Sequence, residues 1–215
     1  KDNRGFFYSR FDEPKGAEFQ ALNQFQKLYY HQLGADQSTD TLIYHRPDQP
    51  EWGFGATISD DGRLLVITGT QGTDERNRLW VRDLANPDAP VQQVFEELVA
   101  MYEFVGSRDR TVYLRTDDGA SQYRLVALDL DKPQKEHWRE IVPSGMNGLG
   151  TLREVSHVNG QFIASYLQDA RSVVVVYDES GETIREIELP GIGAATGFQG
   201  GVGDTETFFA FSSFA

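Results

Sequence analysis

Cysteine is absent from this chain of 215 residues, so neither a disulfide framework nor thiol chemistry is available to it. Basic residues are scarce as well: 20 Lys and Arg stand against 33 Asp and Glu, which gives a net charge of −13. A nucleic-acid surface needs clustered Lys and Arg, so a nucleic-acid partner is not expected. The acidic balance favours solubility, with a cation-attracting cavity as the alternative.

Long apolar runs are missing too. The longest, Val173–Tyr177, is far too short to span a bilayer, so a membrane partner is not expected. No signal peptide is visible, and the lack of cysteine fits a reducing compartment, which together predict a cytoplasmic location. A periplasmic location stays open, because the chain starts in mid-pattern and such a segment would lack any N-terminal signal.

No segment has a sustained helical period; instead, a unit of four short alternating strands repeats about every 47 residues. Its landmark is a tight turn that leads into an apolar strand. The four copies are Asp60-Asp61-Gly62 before Leu64–Thr68, Arg108-Asp109-Arg110 before Thr111–Arg115, Asn159-Gly160 before Phe162–Tyr166, and Gly203-Asp204 before Thr207–Phe211. Repeats of this length built from strands alone predict an all-β fold, a β-propeller of four-stranded antiparallel blades.

The repeat predicts about four to five blades within one partial propeller domain, residues 1–215. Three blades are complete and two are partial. The partial blades are 1–46 and 195–215, and the complete ones are 53–96, 102–143 and 152–189.

Several strands carry finer expectations. The second blade should start with Gly55–Ser59, and the last should contain Ala195–Gly200 and Glu206–Phe214. Val173–Val176 does not alternate, so both of its faces should be buried between neighbouring blades. Trp80 and Trp138 lie among apolar residues and should pack between blades. The third strand of each complete blade ends in an Asp that should cap the following turn, and these are Asp83, Asp129 and Asp178.

Catalytic motifs are lacking. No Ser lies in a Gly-x-Ser-x-Gly elbow, so no catalytic residue is predicted. The histidines lie in separate blades or links without metal-ligand spacing, so neither a metal nor a cofactor is expected. They are His31, His45, His137 and His157. The glycine-rich stretches Gly145–Gly150 and Gly191–Gly197 precede no helix, which favours inter-blade links over phosphate loops.

Several motifs in the same order resemble the prolyl oligopeptidase family, over about Gly5 to Phe214. They are Lys27-Leu-Tyr-Tyr-His-Gln-Leu-Gly34 with Asp36-Gln37-Ser38, Ser59-Asp60-Asp61-Gly62-Arg63, Gly72-Thr-Asp74 with Asn77-Arg-Leu-Trp80, Tyr102-Glu-Phe104, Trp138-Arg-Glu-Ile-Val-Pro143, Leu189-Pro-Gly-Ile-Gly193, and Asp204-Thr-Glu206 with Phe208-Phe209 and Phe211-Ser-Ser-Phe214.

The resemblance implies the later part of a seven-bladed, non-catalytic propeller that covers an α/β-hydrolase domain with a Ser-Asp-His triad. This chain alone would have no peptidase activity. Its parent would be a serine-type prolyl endopeptidase, and its partners would be that catalytic domain and short proline-containing peptides. The resemblance also implies that Gly53, Thr70 and Thr73 line the substrate cavity; the alternative is that they are ordinary loop residues. In relatives these positions often carry bulkier or charged side chains.

Two other readings stay open. A free-standing propeller could act as a protein-interaction scaffold. A small-molecule lyase or hydrolase that used the central tunnel of the propeller would need convergent ionisable residues there, and the sequence shows no such cluster. The strands Gly5–Phe11 and Glu206–Phe214 are expected to have open edges, which favours self-association.

Overall fold

The computed structural model describes residues 3–12, 23–145 and 148–213. Over these residues the chain forms antiparallel sheets and two short 3-10 helices, Gln37–Thr39 and Lys135–His137. It divides into two compact units, Lys1–Val99 and Ala100–Ala215. No helix in the described part of the chain is long and apolar enough to cross a membrane.

The first unit contains two sheets whose strands follow each other in chain order. The three-stranded sheet consists of β1 (Gly5–Arg10), β2 (Lys27–Gln32) and β3 (Thr41–His45). The four-stranded sheet consists of β4 (Trp52–Ile58), β5 (Leu64–Gln71), β6 (Arg78–Asp83) and β7 (Gln92–Phe95).

The second unit contains two four-stranded sheets and a two-stranded one. The first consists of β8 (Tyr102–Arg108), β9 (Thr111–Thr116), β10 (Arg124–Asp129) and β11 (Arg139–Val142). The next consists of β12 (Thr151–Val158), β13 (Gln161–Gln168), β14 (Arg171–Asp178) and β15 (Thr183–Glu186). The two-stranded sheet pairs β16 (Gly193–Gly197) with β17 (Phe209–Ser213). Three four-stranded antiparallel sheets and two smaller ones confirm the predicted fold class.

Aspartates terminate the third strand of each four-stranded sheet, as predicted. In Asp83, Asp129 and Asp178 the carboxylate Oδ1 accepts a hydrogen bond from the backbone N–H two residues further on, at 3.0, 2.9 and 2.8 Å. A side chain that satisfies its own turn in this way stops the strand without a partner from elsewhere. At Asp178, bonds from Ser180 and from neighbouring backbone N–H groups hold the carboxyl pKa below its ordinary value.

Strand β14 is buried on both faces, which confirms the interpretation of its valine run. Val173 and Val175 pack in a cluster with residues of β9 and β10. Val174 and Val176 pack in a separate cluster that includes Ala195 of β16. Since successive side chains of a strand point to opposite faces, one strand contributes to two cores.

Two strand predictions were wrong at their ends. The first strand of the last sheet is Gly193–Gly197, not Ala195–Gly200, and its partner is Phe209–Ser213; the predicted end of that partner, Phe214, lies outside the described residues. Phe198 has a φ of 65°, a left-handed conformation that ends the extended backbone, and its N–H donates to the carbonyl of Phe208.

Strand β4 also starts earlier than predicted, at Trp52 rather than at Gly55. In the structure Trp52 and Phe54 are buried and alternate with Gly53 and Gly55, and the whole segment Trp52–Ile58 pairs with β5. Tertiary packing therefore decides this boundary.

The core of the first unit is centred on Trp80, which is 2 % exposed. Its ring lies 5.1 Å from that of Tyr44 in β3 and 6.0 Å from that of Trp52 in β4. Trp80 thus packs between the two sheets of this unit, as predicted. Trp138 departs from the prediction: it lies just before β11, is only half-buried, and its ring meets that of Tyr102 in β8 of the sheet that also contains β11.

Gly69 allows the Trp80 ring to lie directly on β5, because a Cβ at position 69 would be 2.5 Å from Cζ3 of that ring. We expect Gly69→Ala to reduce the free energy of unfolding by about 1–3 kcal/mol, the usual cost of overpacking a rigid core. Gly55→Ala is the control, since a Cβ at position 55 on the paired strand meets nothing within 4 Å. Urea unfolding of both variants checks this; equal midpoints would contradict it.

Candidate functional site

Gly53 and Thr70 are paired across β4 and β5. Thr70 is exposed and Gly53 is half-buried. A Cβ on Gly53 would lie 2.9 Å from the Thr70 hydroxyl and 3.5 Å from Oε1 of Gln26. The Thr70 hydroxyl and Gln26 therefore already occupy much of the space that a side chain at position 53 would need.

Thr73 lies in the turn that follows β5, exposed and next to Gly72, whose φ is 57°. Asp74 fixes this turn: its carboxylate accepts from the backbone N–H of Arg76 at 2.9 Å and from Nη2 of the same residue at 2.6 Å. The hydrogen bonds from Arg76 lower the pKa of Asp74 to about 2. The structure therefore brings Gly53 and Thr70 into direct proximity and places Thr73 three residues beyond Thr70.

Behind these small residues lies an indole held between two arginines. The guanidinium carbon of Arg78 is 3.7 Å from the ring centroid of Trp52, and that of Arg46 is 4.7 Å from it. A cation over the face of a Trp ring is attracted by the ring quadrupole. Trp52 immediately precedes Gly53, so this stack fixes the start of β4.

Arg78 is itself buried, with 7 % of the residue exposed. Its Nε donates to the Glu96 carbonyl at 2.9 Å and its Nη2 to Oε1 of Gln71 at 3.1 Å. Nη1 has no hydrogen-bond partner among the described residues. Burial lowers the pKa of the guanidinium from its ordinary value. Two neutral acceptors and one aromatic ring thus hold a charged side chain in a single position.

Arg46 is held by carboxylates instead. It donates to Asp48, with Nη2 to Oδ2 at 2.7 Å, and to the carboxylate of Glu96. The bonds to Asp48 are the largest influence that raises the pKa of Arg46, and the same bonds lower the pKa of Asp48 to about 2. The charges of Arg46, Asp48 and Glu96 partly cancel, so the electrostatic field of the site is weak and its shape matters more.

This arrangement combines an aromatic ring with two guanidinium groups beside small side chains. The described residues include no group of three or more His, Asp or Glu placed to hold a metal ion. The sequence reasoning missed the stack on Trp52, although Asn77-Arg-Leu-Trp80 was among the motifs that it singled out. Its only sequence signal is a Trp and two Arg at strand ends, and that signal does not reveal which of them meet.

A comparison with protein families decides what kind of domain this is. The profile described as prolyl oligopeptidase, N-terminal beta-propeller domain, matches residues 1–215. The chain belongs to this family. It is 34 % identical to the prolyl endopeptidase of Elizabethkingia meningoseptica over an alignment of 215 residues. This alignment covers 99 % of this chain and 29 % of that relative. It is 30 % identical to prolyl oligopeptidase A of Galerina marginata, covering 90 % of this chain and 27 % of that relative.

Solved structures agree with this membership of the prolyl oligopeptidase propeller family. A chain from a structural and mechanistic analysis of two prolyl endopeptidases matches with a TM-score of 0.88 and 34 % identity, over 99 % of this chain and 30 % of its own length. Prolyl oligopeptidase B from Galerina marginata, without ligand, matches with a TM-score of 0.85 and 26 % identity, over 98 % of this chain and 29 % of its own length. The chain thus spans less than a third of the relatives that it matches.

The stack on Trp52 can be tested by removing one guanidinium. We expect Arg78→Gln to reduce the free energy of unfolding by about 2–4 kcal/mol, because charge-assisted hydrogen bonds and a desolvated cation–π contact are lost together. Arg76→Gln is the matched control, an exposed arginine whose loss should cost no more than about 1 kcal/mol. Thermal and urea unfolding would measure both, and equal losses would show that the stack adds nothing to stability.

Proposed function

We propose that this chain is the part of a prolyl oligopeptidase-type serine peptidase that covers the active site and restricts access to short proline-containing peptides. One observation carries the proposal: the family match extends over the whole chain, and the relatives are peptidases of which the matched segment is less than a third. The catalytic domain would then belong to the same parent chain. A propeller in that position excludes folded proteins by size.

We also propose that Gly53, Thr70 and Thr73 line the substrate cavity. The small size of all three residues and the exposure of Thr70 and Thr73 support this, and so does the contact of Arg46 and Arg78 with Trp52 next to Gly53. A peptide residue distant from the scissile bond would contact these positions. Small neutral side chains would select such a residue weakly, through space rather than charge.

The proposed activity can be tested on the full-length protein that contains this chain. We expect it to hydrolyse a chromogenic peptide after proline, whereas the 215-residue chain alone releases no chromophore. A proline-containing loop within a folded protein should stay uncut, and the same sequence as a free peptide should be cleaved. Turnover that follows the isolated chain through repurification would contradict the assignment of catalysis to another domain.

The cavity-lining role can be tested by introducing a charge of either sign at Thr70. In the full-length protein at low salt, we expect Thr70→Arg to raise kcat/KM about three- to tenfold for peptides with a Glu upstream of the proline, and to lower it for those with Lys. Thr70→Glu should invert that order. The control is Thr57→Arg, which adds the same charge to an exposed threonine towards the other end of β4.

Equal changes in the Thr57 and Thr70 variants would mean that the effect is a general field and would refute the lining role. The scaffold alternative would be supported if the full-length protein cleaved no peptide. Self-association of the isolated chain and a cytoplasmic location stay predictions; light scattering at several concentrations tests the first.

A further inference from the structure

A cavity lies between the two sheets of the first unit. Its volume is ≈ 720 Å³, within the range of about 300–1,000 Å³ that is usual for small-molecule pockets. Phe7, Tyr30 and Ile43 of the three-stranded sheet form one wall, and Ile58 and Leu84 form the other. Pockets of this size with mainly apolar walls are typical of sites for small organic ligands.

This cavity is separate from the candidate substrate surface. Ile58 is the last residue of β4, and the turn Asp61-Gly62 beyond it also lines the cavity. Gly53 lies near the other end of the same strand. The two sites therefore occupy opposite ends of the second sheet.

The aromatic wall of the cavity is held in place by close packing. The rings of Phe7 and Tyr30 lie 5.0 Å apart. Gly5 lines the cavity beside them, and a Cβ there would be 2.5 Å from the Tyr30 ring and 2.2 Å from the carbonyl oxygen of His31. Glycine at position 5 thus lets the Tyr30 ring lie flat against the strand, which keeps the space between the sheets open.

The cavity also has a positive charge on its wall that has no ion-pair partner among the described residues. Arg82 lines it, and Nη2 of Arg82 donates to the carbonyl of Pro87 at 2.8 Å. Nε of the same guanidinium is buried without a partner among the described residues. Asp61 is already engaged in its own turn, where Oδ1 accepts from the Ser59 hydroxyl and the backbone N–H of Arg63. Asp61 is thus held within its turn, and the charge on the cavity wall that lacks an ion-pair partner among the described residues is that of Arg82.

We propose that this cavity binds a small apolar carboxylate, with its hydrocarbon or aromatic body between the two sheets and its carboxylate beside Arg82. A carboxylate matches a guanidinium in charge and geometry, and such charge-assisted bonds are the stronger ones. The net charge of −13 repels anions from the surface in general, so binding depends on Arg82. The carboxylate belongs either to a free acid or to the C-terminal residue of a peptide.

Calorimetric titration of the 215-residue chain with 4-phenylbutyrate tests the proposal. We expect saturable binding, and the uncharged amide, 4-phenylbutyramide, should bind about tenfold more weakly. Arg82→Gln should weaken the acid about tenfold and remove the difference between acid and amide, while Arg82→Lys should retain part of it. Thr41→Trp, which fills the cavity from an exposed lining position on β3, should abolish binding of both probes.

Arg110→Gln is the matched control, because it removes one positive charge from a surface arginine of the second unit. It should leave the affinity unchanged. No measurable heat up to about 10 mM probe, equal affinity for acid and amide, or undiminished binding to both Arg82→Gln and Thr41→Trp would each overturn the proposal.

A second probe separates the two sources of the carboxylate. N-acetyl-glycyl-phenylalanine carries the same aromatic group and carboxylate at the end of a peptide. Tighter binding of this peptide than of 4-phenylbutyrate assigns the cavity to peptide C-termini, whereas tighter binding of 4-phenylbutyrate assigns it to free acids. Both results require the same loss on Arg82→Gln, and a peptide that binds without that loss would count against the cavity as its site.

Discussion

Burial of both faces of each central sheet is the constraint on which the rest of this structure depends. Strand β14 shows it most directly, since Val173 and Val175 belong to one core and Val174 and Val176 to another. A sheet with two apolar faces is stable only between neighbours, because exposing either face costs roughly 25 cal/mol for each Å² left in water. Trp80 meets the same requirement in the first unit, where it joins two sheets through Tyr44.

Because much of each sheet face is used for packing, the two sites lie towards the two ends of the second sheet. At one end of the second sheet, Arg78 and Arg46 hold Trp52 in position beside Gly53 and Thr70. At the other end, two sheets diverge enough to leave a cavity beside Arg82. Aromatic rings and arginines recur at both ends, since a guanidinium can lie against an apolar ring and still donate hydrogen bonds.

The sequence predicted the features that depend on neighbours along the chain. The alternation of apolar and polar residues predicted the strands. The turns at Asp83, Asp129 and Asp178 were predicted because an aspartate carboxylate accepts hydrogen bonds from the backbone that follows it. It did not predict that Phe198 adopts a positive φ, because a bulky residue seldom does so. The stack on Trp52 was missed for another reason: Trp52 and its two arginines come from three different segments, and only packing brings them together.

The two arginine sites differ in a way that bears on what each end can recognise. Arg46 forms ion pairs with the carboxylates of Asp48 and Glu96, so its charge is largely neutralised within the protein. Arg82 donates to a neutral carbonyl and keeps a buried donor unused. A paired cation supports a surface and leaves selection to shape, whereas an unpaired one retains attraction for an anion. One sheet therefore has a charge-paired arginine beside Gly53 at one end, and at the other end Arg82, which has no ion-pair partner among the described residues.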